Sequence, residues 1–233
     1  MEYSSQRGAG LAHLESLAMH DCWAGLFVAL GLAVRLGWRR QWWWSVLAIA
    51  CGLAFREFVV IFAGLALVFA VVEHRWLEAA AWSATIALFA LALLWHAHEV
   101  AQVVNAGDKV SQGWHGMLGV SGFLAAVDAT SLLCHLSARV AALLACLALV
   151  GWLSLDGKSA PFVIMLIASY AIMIALFARS NTLYWGAIMN PWYLVGLCLL
   201  PRAWRQLGHA MRNSGSDNLP PDLKDEDTAI PRR

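Results

Sequence analysis

Apolar residues run through this chain in long unbroken blocks separated by short polar connections. The first block extends from about Cys22 to Leu36 and closes on Arg35, Arg39 and Arg40, and the second begins at Trp42-Trp43-Trp44 and runs to Phe55. Arg56 and Glu57 then interrupt the pattern, which resumes from Phe58 to Val72 and ends at Glu73-His74-Arg75. A single helix from Trp42 to Val72 would be about 46 Å long at 1.5 Å per residue, too long for one crossing without a large tilt. Two short helices meeting at Arg56-Glu57 are therefore predicted. A fourth block covers Ala79 to Trp95, a fifth Val140 to Leu155, a sixth Pro161 to Ala178 and a last one Leu183 to Leu200, which contains Asn190-Pro191 and so predicts a kink or a helix start. Between the fourth and fifth blocks, His96 to Ser137 holds Gly107, Gly113, Gly116, Gly119 and Gly122 among polar and aromatic residues. Its middle reads as a loop, and Phe123 to Leu136 as a short helix lying in a membrane interface.

Hydrocarbon about 30 Å thick needs roughly 20 apolar residues per helical crossing, and several blocks reach or approach that length without an ionised side chain. Backbone groups in lipid must be satisfied by helices or a closed barrel, and these runs are continuous rather than alternating. The pattern thus predicts an all-α, polytopic transmembrane helical bundle of about seven spans. Its organisation reads as an extracytoplasmic segment 1–21, a helical domain 22–200 with an outer loop 96–137, and a basic, then disordered, cytoplasmic tail 201–233.

Composition agrees: of 233 residues 61% are apolar and only 13% charged, where a soluble domain is nearer half and a quarter. A net charge of +1, with no basic block interleaved with aromatics, excludes nucleic acid as the expected partner. The five cysteines are scattered through apolar sequence without metal or disulfide spacing and read as packing residues. Met1 to Asp21 lacks the apolar core and cleavage site of a signal peptide.

Orientation follows from the basic residues in the short connections. One set of alternate ends holds Arg35, Arg39, Arg40, Arg75, Lys158, Arg202, Arg205 and Arg212, eight in all. The other holds Arg7, Arg56, Lys109, Arg139 and Arg179, which is five. The C-terminal tail is therefore expected in the cytoplasm, which gathers the N-terminus, Arg56-Glu57, the glycine-containing loop and Arg179-Ser180-Asn181 on the outer face.

Among these, Arg56-Glu57 is the sharpest signal. An ionised residue near the centre of a membrane helix costs about 2.5–3.5 kcal/mol on insertion scales and persists where it pairs or meets a ligand. Arg56 either sits paired at the interface or neutralises a phosphate, whose oxygens a guanidinium can grip two at a time, with Glu57 orienting it or touching a sugar hydroxyl. His96, His98 and Glu99 have poor spacing for a two-histidine metal site and suit a polar helix end. His20-Asp21 reads as a polar helix start. Asp108-Lys109 and Ser111-Gln112-Gly113-Trp114-His115-Gly116 combine hydrogen-bonding groups with an aromatic plate, parts that suit carbohydrate or an ordinary interfacial loop. Tyr184 and Trp185 are expected at an interface in either case, while Arg179 and Asn181 together point to binding.

Leu53-Ala54-Phe55-Arg56-Glu57-Phe58, the segment from His96 to Trp114, and Arg179-Ser180-Asn181-Thr182-Leu183-Tyr184-Trp185-Gly186 resemble the C-terminal half of bacterial multipass proteins grouped with the GT-C-type glycosyltransferases. The resemblance covers most of the chain to about Pro201. It implies a bacterial inner-membrane protein of the cell envelope that takes a sugar from a polyprenyl-phosphate donor on the extracytoplasmic face. It also implies donor or acceptor contacts from Arg56, Glu57, Asp108, Trp114, Arg179, Asn181, Tyr184 and Trp185. No resident cofactor is evident, although a divalent metal would neutralise the leaving phosphate in an intact enzyme. The carboxylates that such enzymes usually carry in their first extracytoplasmic loop have no counterpart here. The chain is accordingly expected to be a C-terminal fragment, to have a misassigned start, or to have lost catalysis, and no catalytic residue is assigned. The alternative is a non-catalytic membrane protein that binds lipid or scaffolds a partner membrane protein. A transporter ranks third, because the middles of the spans lack ionisable residues.

Overall fold

The computed structural model describes residues 19–105, 107–108, 113, 116–157 and 159–217. Among them every regular element is helical. Helix α1 (His20–Gly37) passes through a 3₁₀ turn, Arg39–Gln41, into α2 (Trp42–Phe55). Arg56 is extended, with φ −150° and ψ 132°, so the chain breaks there before a 3₁₀ turn, Glu57–Val59, and α3 (Val60–Val72). The expected interruption thus falls at Arg56, and α2 and α3, of 14 and 13 residues, are only about 20 Å long.

Helix α4 (Trp76–Val103) is 28 residues, about 42 Å, and runs well beyond the expected end at Trp95. Polar residues such as His96 and Glu99 do not end a helix by themselves, and no glycine or proline follows until Gly107. After it come α5 (Gly119–Ala129), a 3₁₀ turn Leu132–His135, α6 (Ala138–Leu153) and α7 (Ser159–Phe177). The interfacial helix expected from Phe123 to Leu136 is therefore shifted towards the N-terminus and split at Thr130.

The last apolar block is not one helix. It divides into a 3₁₀ turn Leu183–Ile188, a four-residue helix α8 (Asn190–Tyr193) with Pro191 in its first turn, and α9 (Gly196–Asp217). Helix α9 continues through Pro201 and the basic stretch beyond it, so the region expected as a tail begins as ordered helix. Irregular backbone leaves carbonyls without helical partners, and here side chains of the segment itself and of α6 bond across and within it. Trp152 donates its indole N–H to the Tyr193 carbonyl at 2.8 Å, Trp192 donates to Ile188 at 3.0 Å, and Tyr193 donates its hydroxyl to Ala145 at 2.7 Å. Close backbone packing holds the segment: a Cβ on Gly25 would lie 2.8 Å from the carbonyl oxygens of Ala187 and Ile188, and one on Gly151 would overlap the Gly196 carbonyl.

The buried core is Ala- and aromatic-rich, running from Val28 and Ile49 through Phe62 and Phe162 to Tyr170 and Trp192. Outside it, α4 and α7 are each long and apolar enough to cross a membrane. Helix α4 is not a soluble core helix turned inward, since only 17% of its most apolar stretch is buried and Leu88, Leu91, Leu94 and Trp95 face outward. Contiguous exposed apolar surface of this kind marks contact with lipid or another protein. The apolar helices Gly119–Ala129 and Ala138–Leu153 are shorter than a bilayer crossing needs.

Candidate functional site

The break at Arg56 opens a groove of about 610 Å³ between the α2–α3 turn and the far half of α4. Its walls are apolar, formed by Leu53, Phe55, Leu88, Phe89 and Leu93, and Arg56, Glu57, Thr85 and His96 are its polar members. The extended backbone at Arg56 turns this residue out of the α2 helical repeat. Its Nε donates to Asp21 Oδ1 at 2.7 Å, tying the first turn of α1 to the α2–α3 turn. The guanidinium also faces the rings of Phe58 at 5.5 Å and Tyr184 at 5.8 Å. Burial works against its charge, but Asp21, Glu57 and Tyr184 outweigh that and hold Arg56 above the ordinary arginine value, so it remains a cation at any working pH. Its side chain is 22% exposed, against 7% for Asp21, so the arginine is the accessible member of the pair.

Four of the expected binding residues meet here. Arg56 and Glu57 line the groove, Tyr184 faces Arg56, and Trp185 stacks at 4.6 Å on Phe58, one residue past Glu57. The others lie apart. Arg179 donates from Nη2 to the Gly113 carbonyl at 2.6 Å and from its backbone N–H to the Thr182 hydroxyl at 2.7 Å, so it ties the backbone at Gly113 to the segment after α7. Asn181 is exposed, and Asp108 accepts from the Asn105 backbone N–H at 2.7 Å, closing its own turn. Trp114 lies outside the described residues. The two histidines diverge: His96 lines the groove, while His98 approaches Gln102 at 3.0 Å. Among the described residues no three His, Cys, Asp or Glu side chains converge as ligands.

Two features escaped the reading of the sequence. Asp21, in the first turn of α1, is the partner of Arg56. The second lies at the opposite end of the helices, where Arg35 and Arg75 converge on Glu78, and Arg39 and Arg75 on Glu73. Asp21 and Glu78 each stand just before an apolar block, at Cys22 and Ala79, and the partners that packing gives them, Arg56 and Arg35, are the charges within or between those blocks that need compensation.

Among the described residues these features define an all-helical fold with two helices long and apolar enough to cross a membrane and a groove that is apolar on its walls and ionic at one end. Comparison with known proteins gave no match: no family model fits the chain, and no curated protein and no solved structure is similar to it.

Proposed function

We propose that the chain is an integral membrane protein of about seven crossings, with its C-terminal side in the cytoplasm, and that its groove binds a polyprenyl-phosphate-linked sugar as part of a GT-C-like glycosyltransferase. The observation that carries this reading is the groove itself. An isoprenoid chain needs an apolar trough such as Leu88, Phe89 and Leu93 provide, and a phosphate at its end needs a guanidinium such as that of Arg56. Glu57 and His96 stand within the same lining and suit sugar hydroxyls. The ion pair adds a consequence, because a phosphate at Arg56 competes with Asp21 for the same cation. Transfer of the sugar would proceed by displacement at the anomeric carbon, and the acceptor hydroxyl needs a base that no residue here is assigned to supply.

The protein in detergent, incubated with a radiolabelled polyprenyl-phosphate sugar, provides the test. Arg56→Ala is expected to lower retention of the label about 10-fold or more, since a hydrogen bond to a charged group contributes about 1.5–3 kcal/mol. Asp21→Asn is expected to raise retention, because it removes the competitor and one negative charge.

The second reading is a non-catalytic membrane protein in which the pair only pins α1, and the well-aligned 2.7 Å bond from Arg56 to the buried Asp21 favours it. That reading expects both substitutions to lower thermal stability and leaves the label equally and weakly retained in all three proteins. This outcome would remove the donor site.

A further inference from the structure

At the end of the bundle remote from the groove, α1, α3 and α4 bring five charged side chains into one cluster. Arg35 donates from Nη1 to Glu78 at 3.1 Å, Arg75 also donates to Glu78, and the Trp82 indole N–H reaches the same carboxylate at 3.3 Å. Glu73 pairs with Arg75 at 2.9 Å and with Arg39 at 3.5 Å. Three guanidinium groups, those of Arg35, Arg39 and Arg75, thus face two carboxylates, Glu73 and Glu78, and these side chains sum to +1 among the described residues.

Part of the cluster lies out of water. The Arg35 side chain is 7% exposed and its guanidinium stacks 4.1 Å above the Phe162 ring. Its Nη2, and that of Arg75, are buried with no hydrogen-bond partner among the described residues. Buried donors are almost always bonded, and those that lack a partner point to an ion or water that belongs there. Arg39 and Arg75, 43% and 29% exposed, open the cluster outward. The same end carries the outward-facing Trp38, Trp43, Trp44 and Trp76, the residues that settle at headgroup depth in a bilayer.

We propose that this cluster is a binding site for one phosphate group, that of an anionic phospholipid headgroup, with Arg39 and Arg75 as its outer donors. A phosphodiester carries a single negative charge and so cancels the +1 of the cluster. Its unesterified oxygens accept from guanidinium forks in pairs. Insertion of the lipid beside the tryptophans brings that phosphate to the level of the arginines. The proposal is independent of the groove at Arg56.

Native mass spectrometry of the whole chain in detergent tests it with three probes. Phosphatidylglycerol should be retained and should raise the unfolding temperature. Diacylglycerol with the same acyl chains, lacking the phosphate, should do neither, and inorganic phosphate should protect only at far higher concentration. Arg39→Gln, at a half-exposed position with a 3.5 Å ion pair, takes the cluster to zero and should weaken phosphatidylglycerol retention about 10-fold. Glu73→Gln takes it to +2 and should strengthen retention, even though it removes two ion pairs. Equal retention of phosphatidylglycerol and diacylglycerol, or a shift in the same direction for both variants, overturns the proposal. Protection by inorganic phosphate with none by phosphatidylglycerol overturns the headgroup assignment.

Discussion

Glu78→Gln is expected to cost about 3–5 kcal/mol of stability, the range found when one partner is removed from a buried ion pair. Glu78 is 2% exposed and receives Arg35, Arg75 and the indole of Trp82. Glutamine keeps the shape and can still accept one of these bonds, but it leaves the buried Arg35 cation facing no adjacent countercharge. Total stability of a folded protein is only about 5–15 kcal/mol, so the loss should appear as a large fall in the unfolding midpoint in detergent. Arg202→Ala is the comparison. Its pair with Asp156 is open to solvent, with the two side chains 44% and 72% exposed, and such a pair contributes about 0–1 kcal/mol. Equal midpoints for the two variants would show that burial does not set the strength of the Glu78 cluster.

Gly151→Val should disrupt the junction between α6 and the broken final segment. A Cβ at position 151 overlaps the Gly196 carbonyl, which is backbone and cannot rotate away, and a Cβ at 196 would likewise overlap the Ala148 carbonyl. Forcing extra atoms into such a contact costs about 1–3 kcal/mol and often more, whereas the helix propensity recovered by replacing glycine is at most about 1 kcal/mol. The clash wins. Gly64→Ala in α3 should act in the opposite direction, since a Cβ there meets nothing within 4 Å, and a gain of about 0.5–1 kcal/mol is expected. Unfolding curves of the two variants beside the parent protein decide the matter, and stabilisation by Gly151→Val would show that the α6–α9 contact is not formed as described.

Helical class was legible from the chain because apolar continuity needs no knowledge of partners. The break between α2 and α3 was legible for a related reason: two adjacent ionised residues in an apolar run are a local event, and the backbone at Arg56 is extended where they occur. Boundaries were read less well. The polar string beginning at His96 was taken as an end, but a helix stops where its hydrogen bonds stop, and α4 runs on to Val103. The last apolar block read as a span with a kink or a helix start at Asn190-Pro191; a short helix does start at Asn190, but the segment around it is broken, and it is held by Trp152, which donates to the Tyr193 carbonyl, and by Tyr193, which donates to the Ala145 carbonyl, contacts between residues distant in sequence.

The candidate site divides in the same way. Arg56 and Glu57 stand out as residues that need an explanation wherever they lie, whereas Asp21, 35 positions earlier, is ordinary until α1 carries it to Arg56. Arg179 was read as a partner in binding, and its hydrogen bond to the Gly113 carbonyl, 66 positions earlier, could not be read from the chain.

Sequence order alone settles where apolar surface must be removed from water and which charges demand compensation, since both are properties of individual side chains in their solvent. Which charge compensates which, and which of them gather in one cluster, is decided by helix packing. Coulomb attraction and hydrogen bonding act over a few ångströms in space and are blind to separation along the chain.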